Sequence, residues 1–336
     1  MQAIARAIAG TLNFHGQTSR RDYGIYALIW LASLVAASAI TEFGQVGIWA
    51  EGAVIAATSL IAAPMLALTS RRLHDAGWSG IWALLFFVFS FPVVVLVGFL
   101  PKREPSRARP RPFLRHRLAA ILVIVVAAFG VSRLYWAPLS VTSPSMAPTL
   151  LAGDYIIVTR GLPAAGDVAA YELRRENGDV TQYVARAVGM PGDLIGMLEG
   201  AVLLNGAFVD QFTTGPYENP DAIWEPGGFC SAAVECTMIE EVLPNGVAYQ
   251  TLDAGNIAQL DTTIPRLIPE DGFYLLGDHR DNSLDSRLDR DAGGHGIISK
   301  DEVVGVVHRI AVSAWRGHWL DPSAWRRDRF WKDISQ

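Results

Sequence analysis

Lysine is nearly missing from this chain. It has three among 336 residues, Lys102, Lys300 and Lys332. No lysine lies between Lys102 and Lys300, so a motif in that stretch has no amine side chain of its own to serve as a base. Cysteine is as scarce: only Cys230 and Cys236, five residues apart. Neither a His nor a further Cys lies beside them in sequence, which argues against a zinc site. Two close cysteines in a domain outside the cytoplasm suggest a disulfide, with two free thiols as the alternative. The closed loop is short, so its stabilisation should be modest, about 2 kcal/mol. Charged residues make up 18% and the net charge is −5, so no nucleic-acid partner is indicated. No metal or cofactor is implied either.

What the chain has in quantity is apolar surface: 51% hydrophobic residues and a mean hydropathy of +0.25. That points to a membrane protein with one sizeable soluble part. Four apolar segments precede the second half: about Tyr23 to Ile40, Val46 to Leu68, Ile81 to Leu100 and Leu118 to Tyr135. Each approaches the ~20 residues that span a bilayer as helix. None reads as a cleavable leader. Trp136 reads as an interfacial anchor. The run Lys102 to Arg117 carries seven basic residues and should be a cytoplasmic flank. Arg20, Arg21, Arg71 and Arg72 should be cytoplasmic too. Both expectations conflict if Ile81 to Leu100 crosses fully; a re-entrant segment bending near Pro92, or an outside N-terminus, would reconcile them.

From Ala137 to about Ala314, short apolar runs alternate with Gly, Pro, Asn and Asp. Tyr155–Val158, Val168–Tyr171, Tyr183–Val188, Val202–Leu204, Phe273–Leu276 and Val303–Ile310 read as strands of a mostly antiparallel β domain. Leu150–Leu151 also reads as strand. Before them, Ser143-Pro-Ser-Met-Ala-Pro-Thr-Leu150 reads as a bent, exposed turn with two hydroxyls. A serine there, just beyond a membrane segment, is placed to attack a substrate leaving the bilayer.

Five pieces carry a resemblance to the type I signal peptidases, membrane serine proteases of family S26. They are Ser143–Leu150, Gly153–Val158, Gly166–Val168, Tyr183–Asp193 and Gly277–Arg287, in family order. The resemblance implies that Ser145 is the nucleophile and that Ser143 helps to stabilise the oxyanion. It implies that Leu139, Val141, Met146, Tyr183 and Val184 line small apolar pockets for Ala-like side chains one and three residues before the cut. It pairs Arg186 with Asp278 and Asp285 with Arg287, adds Arg280 to that buried network, and has Ser283 orient a lysine ammonium. It also supports the Cys230–Cys236 bridge, since Gram-negative members often show such a pair. The partners implied are signal peptides of exported preproteins and the lipid bilayer, in protein secretion. The implied location is the bacterial inner membrane, multi-pass, with the catalytic domain periplasmic.

One position departs from the pattern. The family's general base is a lysine in the Tyr-hydrophobic-Lys-Arg box, and Ala185 stands there. A serine hydroxyl needs a neighbour to take its proton; alanine cannot, and Arg186 stays protonated. Three explanations follow: a base removed from an otherwise intact enzyme, a pseudoenzyme that binds signal peptides or exported proteins, or another base. The first is favoured, because Lys-to-Ala is a common way to trap substrate. His279, where the family often has Asn, is a weak substitute. His295 and His308 read as structural or exposed.

The first hundred residues resemble a YhaH-like membrane domain of unknown function, through Phe14–Tyr23 and Arg71–Gly80, with Gln17 where that family usually has Arg. The expected organisation is a transmembrane domain over 1–112, an anchor helix over 113–136, a signal-peptidase-like antiparallel β catalytic domain over 137–314, and a Trp/Arg-rich tail over 315–336. Thus an α-helical membrane domain precedes a mostly-β catalytic domain. The tail suits either a membrane interface or packing on the β domain.

Overall fold

The computed structural model describes residues 8–11, 18–43, 47–76, 97, 124, 127–174, 178–218, 230, 235–255, 258–315, 318 and 321–334. They form two compact units, residues 1–135 and 136–336.

In the first unit, α1 (Arg20–Phe43) and α2 (Ile48–Asp75) pair through Tyr23, Tyr26 and Trp30 on one side and Ala63, Met65 and Leu66 on the other. Ser19 starts α1: its Oγ accepts from the Asp22 amide at 3.0 Å, as an N-cap serine does. The Thr18 amide donates to Asp75 Oδ2 at 3.1 Å, which joins the two sequence boxes of this half at one end of the helix pair. Both helices are long and apolar enough to cross a membrane. They cover the first two expected spans. The third, Ile81 to Leu100, lies outside the described residues except Val97. Of the fourth, residues 127–132 are helical and 133–135 form a turn.

The second unit is antiparallel β throughout its named ladders. Its strands are β1 (Trp136–Ser140), β2 (Asp154–Thr159), β3 (Val168–Arg174), β4 (Val180–Gly189), β5 (Leu194–Leu198), β6 (Ala201–Leu204), β7 (Ala207–Phe208), β8 (Asp210–Pro216), β9 (Thr237–Val242), β10 (Ala248–Asp253), β11 (Arg266–Leu267), β12 (Gly272–Leu276), β13 (Ile298–Ser299), β14 (Val303–Ser313) and β15 (Lys332–Asp333). The main sheet runs β1-β2-β14-β3-β4-β12-β13, with β15 added on β14; β10-β9-β8 and β11-β5-β6-β7 form two smaller sheets. Alternation explains β2, which buries Asp154, Ile156 and Val158 and turns the residues between them outward. Trp136 opens β1, paired with Thr159.

All six runs expected as strands are strands. Leu150–Leu151 is not. The Asp154 carboxylate takes the Leu151 amide at 2.9 Å and folds the chain into a turn, so that amide has no ladder to join. The tail is described over 321–334, where it packs on the β unit, bridging Ala314 with Trp325 and pairing β15 with Arg309 and Ile310.

Gly305 sits where β14 runs between β2 and β3. A Cβ there would collide with the Thr159 carbonyl, which is backbone and cannot rotate aside. Gly305→Ala should therefore destabilise the unit by about 1–3 kcal/mol, as overpacking does. Urea unfolding followed by tryptophan fluorescence should show a lower midpoint at unchanged slope. An unchanged midpoint would count against this packing.

Candidate active site

The loop between β1 and β2 carries Ser145. Its base is closed by two backbone hydrogen bonds: the Val141 amide to the Asp154 carbonyl at 2.8 Å, and the Gly153 amide to the Val141 carbonyl at 2.7 Å. Inside it, Pro144–Met146 form one 3₁₀ turn that Ser143 caps, its Oγ accepting from the Ser145 amide at 3.2 Å. Proline at the first position suits such a turn, since its missing N–H would have no partner there. Met146 and Leu150 are buried, Ser145 is half-buried and Ser143 is exposed. The turn thus fixes Ser145 from below.

Two neighbours meet it. The turn packs on β4 and on a second 3₁₀ turn, Arg280–Asn282. The His279 amide donates to the Ser145 carbonyl at 3.0 Å. Gly277 makes this approach possible. A Cβ there would collide with Ser283 Oγ and lie 2.8 Å from the Ser145 carbonyl oxygen. Gly277 thus has the Ser283 side chain and the Ser145 carbonyl packed against its α-carbon.

Ala185 is buried in β4, opposite Ala169, and Tyr183 is opposite Tyr171. Directly opposed residues, and residues two apart, share a face. Ala169, Tyr171, Tyr183 and Ala185 thus form one face, with Val184 and Arg186 on the other. His295 lies on the tyrosines. Its Nδ1 is 2.7 Å from Tyr171 Oη, and its ring centroid is 4.2 Å from that of Tyr183. Burial lowers the His295 pKa below the ordinary histidine value. Of the pocket residues expected, Val141 and Met146 are buried, while Leu139, Tyr183 and Val184 are half-buried.

The same unit holds three buried ion pairs. Arg186 donates to both oxygens of Asp278, from Nε at 2.8 Å and Nη2 at 2.6 Å, and also to the Gly166 carbonyl at 2.8 Å. Thr149 Oγ1 donates to Asp278 at 2.5 Å and accepts from Arg186 Nη2 at 3.1 Å. Arg287 grips Asp285 with two bonds of 2.9 Å, and Asp285 also takes the Gly277 amide at 3.0 Å. Arg280 does the same to Glu241, at 2.5 and 2.6 Å, where Tyr249 and Gln211 add bonds of 2.7 and 3.0 Å. Burial alone would lower the Arg186 and Arg280 pKa values; the facing carboxylates outweigh it and raise both. Burial would raise Glu241, but Arg280 holds it low.

Arg186–Asp278 and Asp285–Arg287 pair as expected. Thr149, Glu241 and Tyr249 went unnoticed in the sequence. Thr149 lies within the Ser143–Leu150 piece, so its hydroxyl was a usable signal; Glu241 and Tyr249 sit on β9 and β10, outside every motif. Cys230 and Cys236 are bonded to each other. With Leu252 they pack on Ala147 and Leu151 of the serine loop. Contrary to the sequence spacing, a histidine does join them: His279 Nε2 is 3.2 Å from Cys230 Sγ. With the sulfurs joined, no thiolate is available there to ligate a metal. His279 meets Ser145 through its backbone amide. His308 is exposed.

A serine-bearing turn on an antiparallel β unit, after two helices long and apolar enough to cross a membrane, fits the serine peptidase class that the sequence resembles. The chain belongs to the signal peptidase family, peptidase S26, whose model matches residues 114–312. A second family, described as a protein of unknown function (DUF805), matches residues 11–113. Signal peptidase I S of Bacillus subtilis (strain 168) is 27% identical over 186 residues, covering 55% of this chain and 82% of that protein. Signal peptidase I of Bacillus amyloliquefaciens is 27% identical over 204 residues, 61% of this chain and 91% of that one. A signal peptidase I structure from Enterococcus faecalis V583 is 19% identical, covering 44% of this chain and 98% of its own, with a TM-score of 0.23.

Two groups beside Ser145 titrate in opposite senses. Burial pushes His279 down from 6.5 to about 4. Burial pushes Asp281, whose Oδ2 takes the Ala254 amide at 2.6 Å, up from 3.8 to about 6. As pH falls from 6.5 toward 4, the unfolded histidine takes a proton that the folded one refuses, so stability is lost. As pH rises from 3.8 toward 6, the unfolded aspartate loses a proton that the folded one keeps, so stability is lost in that direction. The two partly cancel. His279→Asn should gain stability relative to the parent on acidification across this window, by up to about 3 kcal/mol. Asp281→Asn should lose it. Parallel urea-midpoint profiles for all three proteins would sink this account.

Proposed function

We propose that the chain is a membrane-bound signal peptidase of type I which, as written, binds signal peptides but scarcely cuts them. Ser145 is the nucleophile, Ser143 and the Ser145 amide serve the oxyanion, and Ala185 stands where a lysine base belongs. The substrate is a preprotein with small residues one and three places before the cut, added as an extended strand along β1 and β4. Leu139, Val141, Met146, Tyr183 and Val184 line its pockets. Arg186, Asp278, Arg280, Asp285 and Arg287 hold the walls, and Ser283 is the partner that a lysine would have. The unit with Ser145 faces the periplasm, with the preceding helices in the inner membrane.

With a lysine in place, its neutral amine would take the Ser145 proton as Oγ attacks the carbonyl carbon. The new amine terminus would leave with a proton, and water would release the acyl group. The observation that carries this reading is local. Ala185 is a buried position on the same strand face as Tyr183, on a strand that packs against the serine turn, and the Ser283 side chain and the Ser145 carbonyl both pack on Gly277; these support the reading. Neither histidine replaces it: the His279 ring faces the disulfide, and His295 is engaged with Tyr171.

The chain as written should cleave a preprotein at least ~10²-fold more slowly than Ala185→Lys, the scale on which lost general-base catalysis is felt. The gain should vanish in Ala185→Lys combined with Ser145→Ala. Burial lowers a lysine's pKa, so the restored rate should fall as pH drops and the amine protonates. A folded Ala185→Lys that still fails to cut would overturn the missing-base reading and favour a dedicated signal-peptide-binding protein. Near-normal cleavage by the chain as written would point to another base.

A further inference from the structure

The C-terminal segment lies beyond residue 312, where the family match ends. Among the described residues it nevertheless reaches the serine loop. Arg329, nine-tenths buried, donates from Nη2 to Asp154 Oδ2 at 2.7 Å and to the Thr149 carbonyl at 2.8 Å. Its Nε reaches Asp154 Oδ1 at 3.3 Å. Arg326 donates to the Ala152 carbonyl from both terminal nitrogens, at 3.1 Å each, and to Ser313 Oγ at 3.1 Å. Ser313 Oγ in turn donates to Asp154 Oδ1 at 2.5 Å.

We propose that residues 321–334 form a positioning strap for the Ser145 loop, acting through Arg329 on Asp154 and the Thr149 carbonyl. The inference rests on the reading of Ser145 as nucleophile. The loop from Ala147 to Gly153 is not in a sheet, so its carbonyls have no ladder donors and need others. A guanidinium carries five N–H groups in a rigid fork, enough to hold a carboxylate and a carbonyl together. Thr149 is thereby fixed from two sides: its carbonyl by Arg329, its hydroxyl by Asp278 and Arg186. Four residues upstream is Ser145, and the Leu150 amide closes the intervening turn on the Met146 carbonyl at 2.8 Å. Asp154 completes the cage by holding the Leu151 amide at 2.9 Å. The strap is itself anchored: the Trp331 amide bonds the Ala311 carbonyl at 3.3 Å, and the Ile334 amide the His308 carbonyl at 2.9 Å. None of its residues touches the peptide groove in this account; their effect on Ser145 passes through the loop.

The test uses the full-length protein. Arg329→Met should speed hydrogen exchange at the Leu150 and Leu151 amides at least tenfold, with the β3–β4 ladder unchanged. In the Ala185→Lys background it should lower kcat about tenfold or more and leave KM within about twofold. Arg329→Lys should recover part of the rate. The control is Arg266→Met, which breaks an exposed pair with Asp289, at 2.8 Å from Nη2 to Oδ2, outside the strap and the serine loop, and should leave kcat and the loop amides unaltered. If Arg329→Met does not accumulate folded, Arg329→Lys is read alone and should show both effects in smaller measure. Unchanged loop exchange in a folded Arg329 variant overturns the strap, as does an equal kcat loss in Arg266→Met. If Ala185→Lys itself proves inactive, the exchange arm still decides the strap, so the two readings fail separately.

Discussion

The Arg186–Asp278 pair is the contact on which the rest of the serine site depends. It ties the strand that bears Ala185 to the segment that follows β12, and through Thr149 it ties both to the serine loop. Taking two charges out of water is expensive, and only well-aligned hydrogen bonds offset it. Here the alignment is bidentate, the remaining donors reach Gly166 and Thr149, and the guanidinium lies 4.3 Å over the Tyr249 ring. Removing one partner leaves the other buried and unpaired, a loss of about 3–5 kcal/mol in comparable cases. Such a pair holds three chain segments in one arrangement and tolerates few others.

The same device is used three times within a short run. Asp278, Arg280, Asp285 and Arg287 alternate in sign along a segment that makes two tight turns. Each finds its partner in a different direction: β4, β9 and its own turn. The backbone joins in, since Gly277 donates to Asp285 and Arg287 donates to the Arg280 carbonyl. Apolar packing could fill this volume, but it would not dictate where the His279 amide points. Directional bonds do, and that amide holds the Ser145 carbonyl.

Much of this was readable from the sequence, for identifiable reasons. The six strands announced themselves as short apolar runs with Gly, Pro, Asn and Asp between them. The pairs within and next to the Gly277 piece came with the family resemblance, because both partners lie in recognisable boxes. Arg280 was noticed but its partner was not: Glu241 sits in a strand with no motif, and only the fold brings it near. Leu150–Leu151 misled because two leucines before Asp154 look like the start of a strand, whereas the aspartate's own carboxylate turns the chain. The histidine beside the disulfide was invisible for the same kind of reason, being 49 residues from Cys230. The tail offered Trp and Arg, which suit a lipid surface and a protein surface alike; only coordinates tell them apart.

The strap also sets an order of events in the life of the chain. Thr149 meets Asp278 across 129 residues and Arg329 across 180. Contacts of such long range close large loops, and they form late and slowly compared with hairpins such as β3–β4. A chain that emerges from its N-terminal end therefore presents Ser145 long before the groups that fix it. During that interval the serine loop has only its local bonds, among them Ser143 to Ser145 and Leu150 to Met146. On the strap reading, the last increment of positioning comes with the last segment made.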